Sequence, residues 1–89
     1  MEERYVDVII DEYNKYRIFT STIDSDELLW HQDKRERVIR IFSGRDWQLQ
    51  FDDQLPFTLE EGKDYKIPDH TYHRVIKGKD DLIIKITEK

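Results

Sequence analysis

The chain has 89 residues, none of them cysteine, and fifteen Lys and Arg against twenty Asp and Glu give a formal net charge of −5. That length fits one domain spanning residues 1–89, with no room for a second core. The missing cysteine excludes disulfides and thiolate metal sites. The acidic balance argues against a nucleic-acid partner, because the one basic cluster, Lys34 to Arg37, is interrupted by Glu36.

The first stretch, YVDVII, alternates so that Val6, Val8 and Ile10 share one side, as in a strand. Its acidic flank and short apolar run match neither a signal peptide nor a membrane span. A cytoplasmic location and no membrane partner are therefore expected. The overlapping stretch VDVIIDEYNKY is also compatible with a short N-terminal helix. YRIFTSTI follows, rich in the β-branched and aromatic residues that strands favour. ERVIRIF sets Arg37, Ile39 and Ile41 against Val38, Arg40 and Phe42, and DWQLQFD sets Trp47, Leu49 and Phe51 against Gln48 and Gln50. LIIKIT closes the series. Turn residues separate the runs at Ser43-Gly44, Asp52-Asp53, Glu61-Gly62, Pro68-Asp69 and Lys77-Gly78 through Asp81. Pro56 and Pro68 fall at strand starts, where a missing N–H does little harm. Eight or so short strands at this spacing predict an all-β sandwich or barrel.

Few residues carry chemistry. The three glycines are too scattered for a phosphate loop, and Ser43 has no base near it in sequence. The histidines are more informative. His31 stands two residues before Asp33, and His70 and His73 follow Pro68. The segment GKDYKIPDHTYH resembles the second conserved motif of cupins, G-x5-P-x-G-x2-H. Gly62, Pro68 and His73 are in register, and His70 replaces the second glycine. The first cupin motif, H-x-H-x3-E-x6-G, maps onto HQDKRERVIRIFSG with His31 and Gly44 in place. Asp33 stands there for the second histidine and Arg37 for the glutamate.

This resemblance implies a small cupin-like antiparallel β-barrel, a double-stranded β-helix or jelly roll. His31 and His73 would converge on facing strands, and His70 would be a turn residue at positive φ. Cupins usually bind metal through three histidines and a glutamate. The surviving set here is His31, Asp33 and His73, the two-imidazole, one-carboxylate combination of non-heme Fe(II) oxygenases. The implied cofactor is one divalent transition metal, Fe, Mn, Ni or Zn.

Arg37 complicates this. It shares a strand face with Ile39 and Ile41, its fixed positive charge would repel a nearby dication, and its shape suits a bidentate pair with Asp33. Two states stay open. Arg37 grips a small anionic substrate beside a metal, or it forms an ion pair with Asp33 in a metal-free barrel. Trp47, also inward, would wall a substrate pocket or simply fill the core. The function is accordingly either that of a metal-dependent enzyme, of dioxygenase, isomerase or lyase type, acting on a small polar or anionic molecule in the barrel, or that of a non-catalytic barrel binding a small ligand or serving as an accessory domain. Outward Trp30, Val38, Phe42 and Ile76 suggest an apolar interface. A homodimer is expected, with the first strand added to a partner's sheet edge.

Overall fold

The computed structural model describes residues 5–23 and 29–89, and among these there is no helix. Eight strands follow in order: β1 (Val6–Ile9), β2 (Asn14–Phe19), β3 (Arg37–Ser43), β4 (Gln48–Phe51), β5 (Phe57–Thr58), β6 (Asp64–Ile67), β7 (His73–Ile76) and β8 (Leu82–Glu88). They form a five-stranded sheet ordered β1-β2-β8-β3-β6 and a three-stranded sheet ordered β5-β4-β7. Every pairing is antiparallel. This is the predicted all-β jelly roll.

The alternation seen in the sequence becomes two faces of each sheet. Ile39 and Ile41 of β3, Leu49 of β4, Ile67 of β6 and Leu82, Ile84 and Ile86 of β8 all turn inward and are buried. Trp47, Leu59, Phe19 and Ile23 complete the core, and Phe51 packs partly buried against it. Burying each of the larger apolar side chains contributes about 1.5–3 kcal/mol. Their exclusion of water drives the sheets together. Phe42 and Arg40, between the inward positions of β3, face solvent.

The helix compatible with VDVIIDEYNKY does not form. A β1–β2 hairpin takes its place, with Val8 opposite Tyr16 and Ile9 opposite Lys15. Asp11 closes the turn by accepting hydrogen bonds at Oδ1 from the N–H groups of Tyr13 and Asn14, both at 2.9 Å. A short side chain that satisfies turn amides in this way competes directly with helix. The β-branched residues before it prefer the extended chain in any case.

Gly44 marks the end of β3, where the register with β8 shifts between Ile41 and Ser43. Its φ of 136° lies outside the range open to other residues, and a Cβ there would lie 2.9 Å from Leu82 Cδ1. This glycine lets the sheet bend closely over β8.

Candidate metal centre

The site lies at one end of the barrel, where the segment before β3 meets the start of β7. His31 and His73 form an isolated antiparallel bridge, with His31 N–H donating to His73 C=O at 3.0 Å and the reverse bond at 2.9 Å. The N–H of His70 donates to Asp33 C=O at 2.7 Å. Backbone pairing thus fixes residues 31–33 against 70–73. His70 takes φ 54°, the turn conformation expected at the replaced glycine, and its exposed ring lies with Nδ1 3.0 Å from Asp69 Oδ2.

Side chains from the two segments converge. The rings of His31 and His73 stand edge to face with centroids 4.3 Å apart. His73 Nε2 lies 3.4 Å from Asp33 Oδ2. One ligand atom each from His31, Asp33 and His73 lie within 4.8 Å of one another. Each imidazole is held at its other nitrogen by a backbone carbonyl, His31 Nδ1 by Leu29 at 3.1 Å and His73 Nδ1 by Thr71 at 2.8 Å. A carbonyl oxygen only accepts, so the neutral rings carry their protons on Nδ1. Both Nε2 lone pairs are then left free, the arrangement typical of metal-bound histidine.

Burial acts in the same direction. His73 is enclosed, and desolvation pushes its pKa below the ordinary imidazole value. The Thr71 hydrogen bond and the Asp33 charge pull the other way, while His31 and Arg37 add to the lowering. The neutral ring, which is the ligand form, therefore persists into mildly acidic solution.

Arg37 reaches Asp33 as expected, Nη1 to Oδ1 at 3.3 Å, but it does not consume the carboxylate. Its Nη2 donates to Glu88 Oε1 at 2.8 Å. Asp33 Oδ2 is left buried without a hydrogen-bond partner. A buried carboxylate oxygen with nothing donating to it is costly, and a cation between it and the two Nε2 atoms would satisfy it. A metal therefore fits these residues: two imidazoles and one carboxylate leave coordination positions open for a ligand.

Glu88 was not legible as a site residue. It enters only because β8 pairs with β3 in a register that sets Glu88 opposite Arg37. Glu36, the residue before Arg37, points elsewhere and pairs with Lys66 at 3.2 Å. Trp47 is not brought to the site. It is wholly buried, its indole N–H donates to Asp80 C=O at 2.6 Å, and its ring packs on Phe19. It stands four residues from Phe51, the residue paired with His73, which is roughly 13 Å along an extended chain.

Beside Asp33 and Arg37 opens a cleft of about 300 Å³, lined by Gln32, Asp33, Lys34, Arg35, Arg37 and Glu88. The barrel interior next to it is packed with apolar side chains. Any small molecule acting here would enter at the barrel's end.

No protein-family model matches the chain, and no curated protein matches its sequence. Solved structures do match in fold. A cupin domain from Bordetella pertussis Tohama I is 18% identical, with 96% of this chain and 91% of that chain covered at a TM-score of 0.65. A cupin-2 domain protein from Shewanella frigidimarina is 21% identical over 92% of this chain and 76% of its own, at a TM-score of 0.66. A DMSP lyase from Ruegeria pomeroyi is 11% identical at a TM-score of 0.69, with 97% of this chain but 47% of the lyase covered. The fold is the cupin fold.

Proposed function

We propose that the protein is a metal-dependent cupin that holds one divalent transition metal at His31, Asp33 and His73 and acts on a small anion bound in the adjoining cleft. The observation that carries this reading is the unpartnered, buried Oδ2 of Asp33, facing an imidazole Nε2 at 3.4 Å. Three cations, Lys34, Arg35 and Arg37, line the cleft against two carboxylates and favour a negatively charged ligand. Arg37 orients Asp33 through one oxygen and leaves the other for the metal. The metal would supply Lewis acidity at the open positions. A solved structure of this fold is a DMSP lyase, which supports lyase-type chemistry on a small polar molecule. The cysteine-free, acidic chain suits a reducing cytoplasm.

A second reading rests on the Arg37–Asp33 contact itself: a structural ion pair in a metal-free barrel that binds a ligand without catalysis or serves as an accessory domain. Elemental analysis of protein purified without a metal-affinity tag separates the two, together with calorimetric titration of Mn²⁺ into the stripped protein. The metal reading expects near-stoichiometric metal, with affinity lost at least 100-fold in Asp33→Ala and His73→Ala. Wild-type protein that carries no metal and binds none in the titration overturns it in favour of the second reading.

A further inference from the structure

Arg17, Arg40 and Arg45 each hold an aspartate by two parallel hydrogen bonds. Nε and Nη2 lie along one edge of the guanidinium, and together they grip both oxygens of a carboxylate. The distances are 2.7 and 2.9 Å to Asp7, 2.7 and 3.0 Å to Asp64, and 2.6 and 3.0 Å to Asp80. Arg37 departs from this pattern. Its Nη2 donates to Glu88 Oε1 at 2.8 Å, but its Nε is buried without a partner. An unpaired donor inside a protein is costly, and more so on a charged group. The edge that elsewhere in this chain takes a whole carboxylate is here half filled.

Glu88 is fixed in its backbone and free in its side chain. Its N–H donates to Tyr13 C=O at 2.8 Å, and β8 sets it opposite Arg37. Its carboxylate stands between two cations, with Arg37 at 2.8 Å and Lys15 at 4.0 Å. It also borders two hollows. One is the cleft shared with Asp33 and Arg37, and the other, of about 240 Å³, is lined by Tyr13, Asn14 and Lys15 among others. A change of side-chain rotamer moves the carboxylate from one cation to the other while the strand stays in place. Lys15 is able to receive it. The other carboxylate near Lys15, Asp7 at 3.6 Å, already has both oxygens bonded by Arg17.

We propose that Glu88 is a displaceable internal ligand: the anion of the cleft is a carboxylate that replaces it on Arg37, through Nε and Nη2, while Glu88 turns to Lys15. This rests on the reading of the cleft as an anion site and does not require the metal. The exchange keeps every charge compensated. The incoming carboxylate brings the single negative charge that Glu88 withdraws, so Arg37 stays neutralised beside Asp33. It also satisfies Nε, which Glu88 leaves bare. Lys34 and Arg35, exposed on the cleft wall, draw the ligand in. Glu88 in turn sets the specificity, because an anion that bonds at one point gains nothing over the carboxylate it must displace.

The test is a titration of sodium acetate at constant ionic strength, followed by the NMR signal of the Arg37 Nε–H group. Protein as purified is compared with protein stripped of metal and dialysed, which tells acetate on a metal from acetate on Arg37. In wild type the Nε–H signal should move as acetate binds. Glu88→Ala removes the competitor and should bind acetate about tenfold tighter or more. Lys15→Met removes the receiving cation and should weaken acetate about threefold or more. Methanesulfonate, a monoanion with three oxygens set tetrahedrally, should bind Glu88→Ala clearly more weakly than acetate does. If Glu88→Ala fails to fold, Lys15→Met and the wild-type Nε–H signal decide. Acetate affinity indifferent to Glu88 and Lys15, binding that leaves the Nε–H signal unmoved, or equal binding of methanesulfonate would overturn the exchange alone. No binding of either anion to any of these proteins would overturn the anion site itself, and the exchange with it.

Discussion

Replacing Arg37 with glutamate restores the usual cupin residue at that position and reverses a charge at the centre of the site. Arg37 bridges Asp33 and Glu88, with the three side chains 15%, 12% and 25% exposed. The substitution removes both contacts and sets three carboxylates together. Breaking a buried pair while its partners remain costs about 3–5 kcal/mol, and these side chains are buried enough for that range to apply. A chain of this size has total stability of about 4–13 kcal/mol. In EDTA, the melting temperature of Arg37→Glu should therefore fall by roughly 15–30 °C. A dication removes the repulsion and gains a ligand. Metal at a hundred times its dissociation constant adds about 2.7 kcal/mol to any protein that binds it only when folded, so Mn²⁺ should recover roughly 10–20 °C in the variant. The assay is thermal unfolding followed by circular dichroism, with and without metal, for both proteins. An Arg37→Glu protein as stable as wild type in EDTA would refute the ion-pair argument. A loss in EDTA that no divalent ion offsets would refute the placement of the metal.

Glu88→Gln should weaken Mn²⁺ binding by about 10–100-fold in calorimetry, because Arg37 would lose its counter-charge and press its full charge on the metal. Gly78→Ala should destabilise the fold by more than about 2 kcal/mol in urea titration, since a Cβ there would meet the Arg45 carbonyl oxygen at 2.2 Å and the Trp47 nitrogen at 2.6 Å. Asp7 is held below its ordinary value of 3.8, first by the hydrogen bonds from Arg17 and then by the Arg17 and Lys15 charges. Its contribution to stability is complete above that value and is lost as pH falls below it. Asp7→Asn should flatten the acid limb of the stability–pH curve, and an unchanged limb would exclude the pair as its cause.

The core was legible because a strand's side-chain period is two. One glance along VIRIF or WQLQF separates inward from outward residues, and the sheets keep that separation at Ile39, Ile41, Trp47 and Leu49. The first hairpin was ambiguous for a physical reason. Val8, Ile9 and Ile10 form an unbroken apolar run, so β1, half-exposed on both faces, gives no clean alternation. The histidines stood out through the spacing around Pro68, which the bridge between residues 31 and 73 explains. Glu88 and the carbonyls of Leu29 and Thr71 left no trace. A counter-charge set by cross-strand register, and backbone groups that every residue possesses, have no sequence pattern of their own.

Glu88 also resolves the objection that Arg37 raises against a metal. The usual three-histidine, one-glutamate cupin set presents a dication with one negative charge. Here His31 and His73 would bind a metal as neutral ligands and Asp33 would supply one negative charge, but Arg37 would cancel it if it stood alone. At 2.8 Å, Glu88 neutralises Arg37 from the side away from Asp33. Counted together, the five side chains again sum to one negative charge. Lys15, 4.0 Å from Glu88 and 3.6 Å from Asp7, extends this alternation to the Arg17–Asp7 pair on β2 and β1. The charges at this end of the barrel thus alternate in sign from Arg17 to Asp33, and the alternation stops at a buried oxygen with no donor, Asp33 Oδ2. A positive charge is what the series calls for next, and the two free Nε2 atoms stand where they would share it.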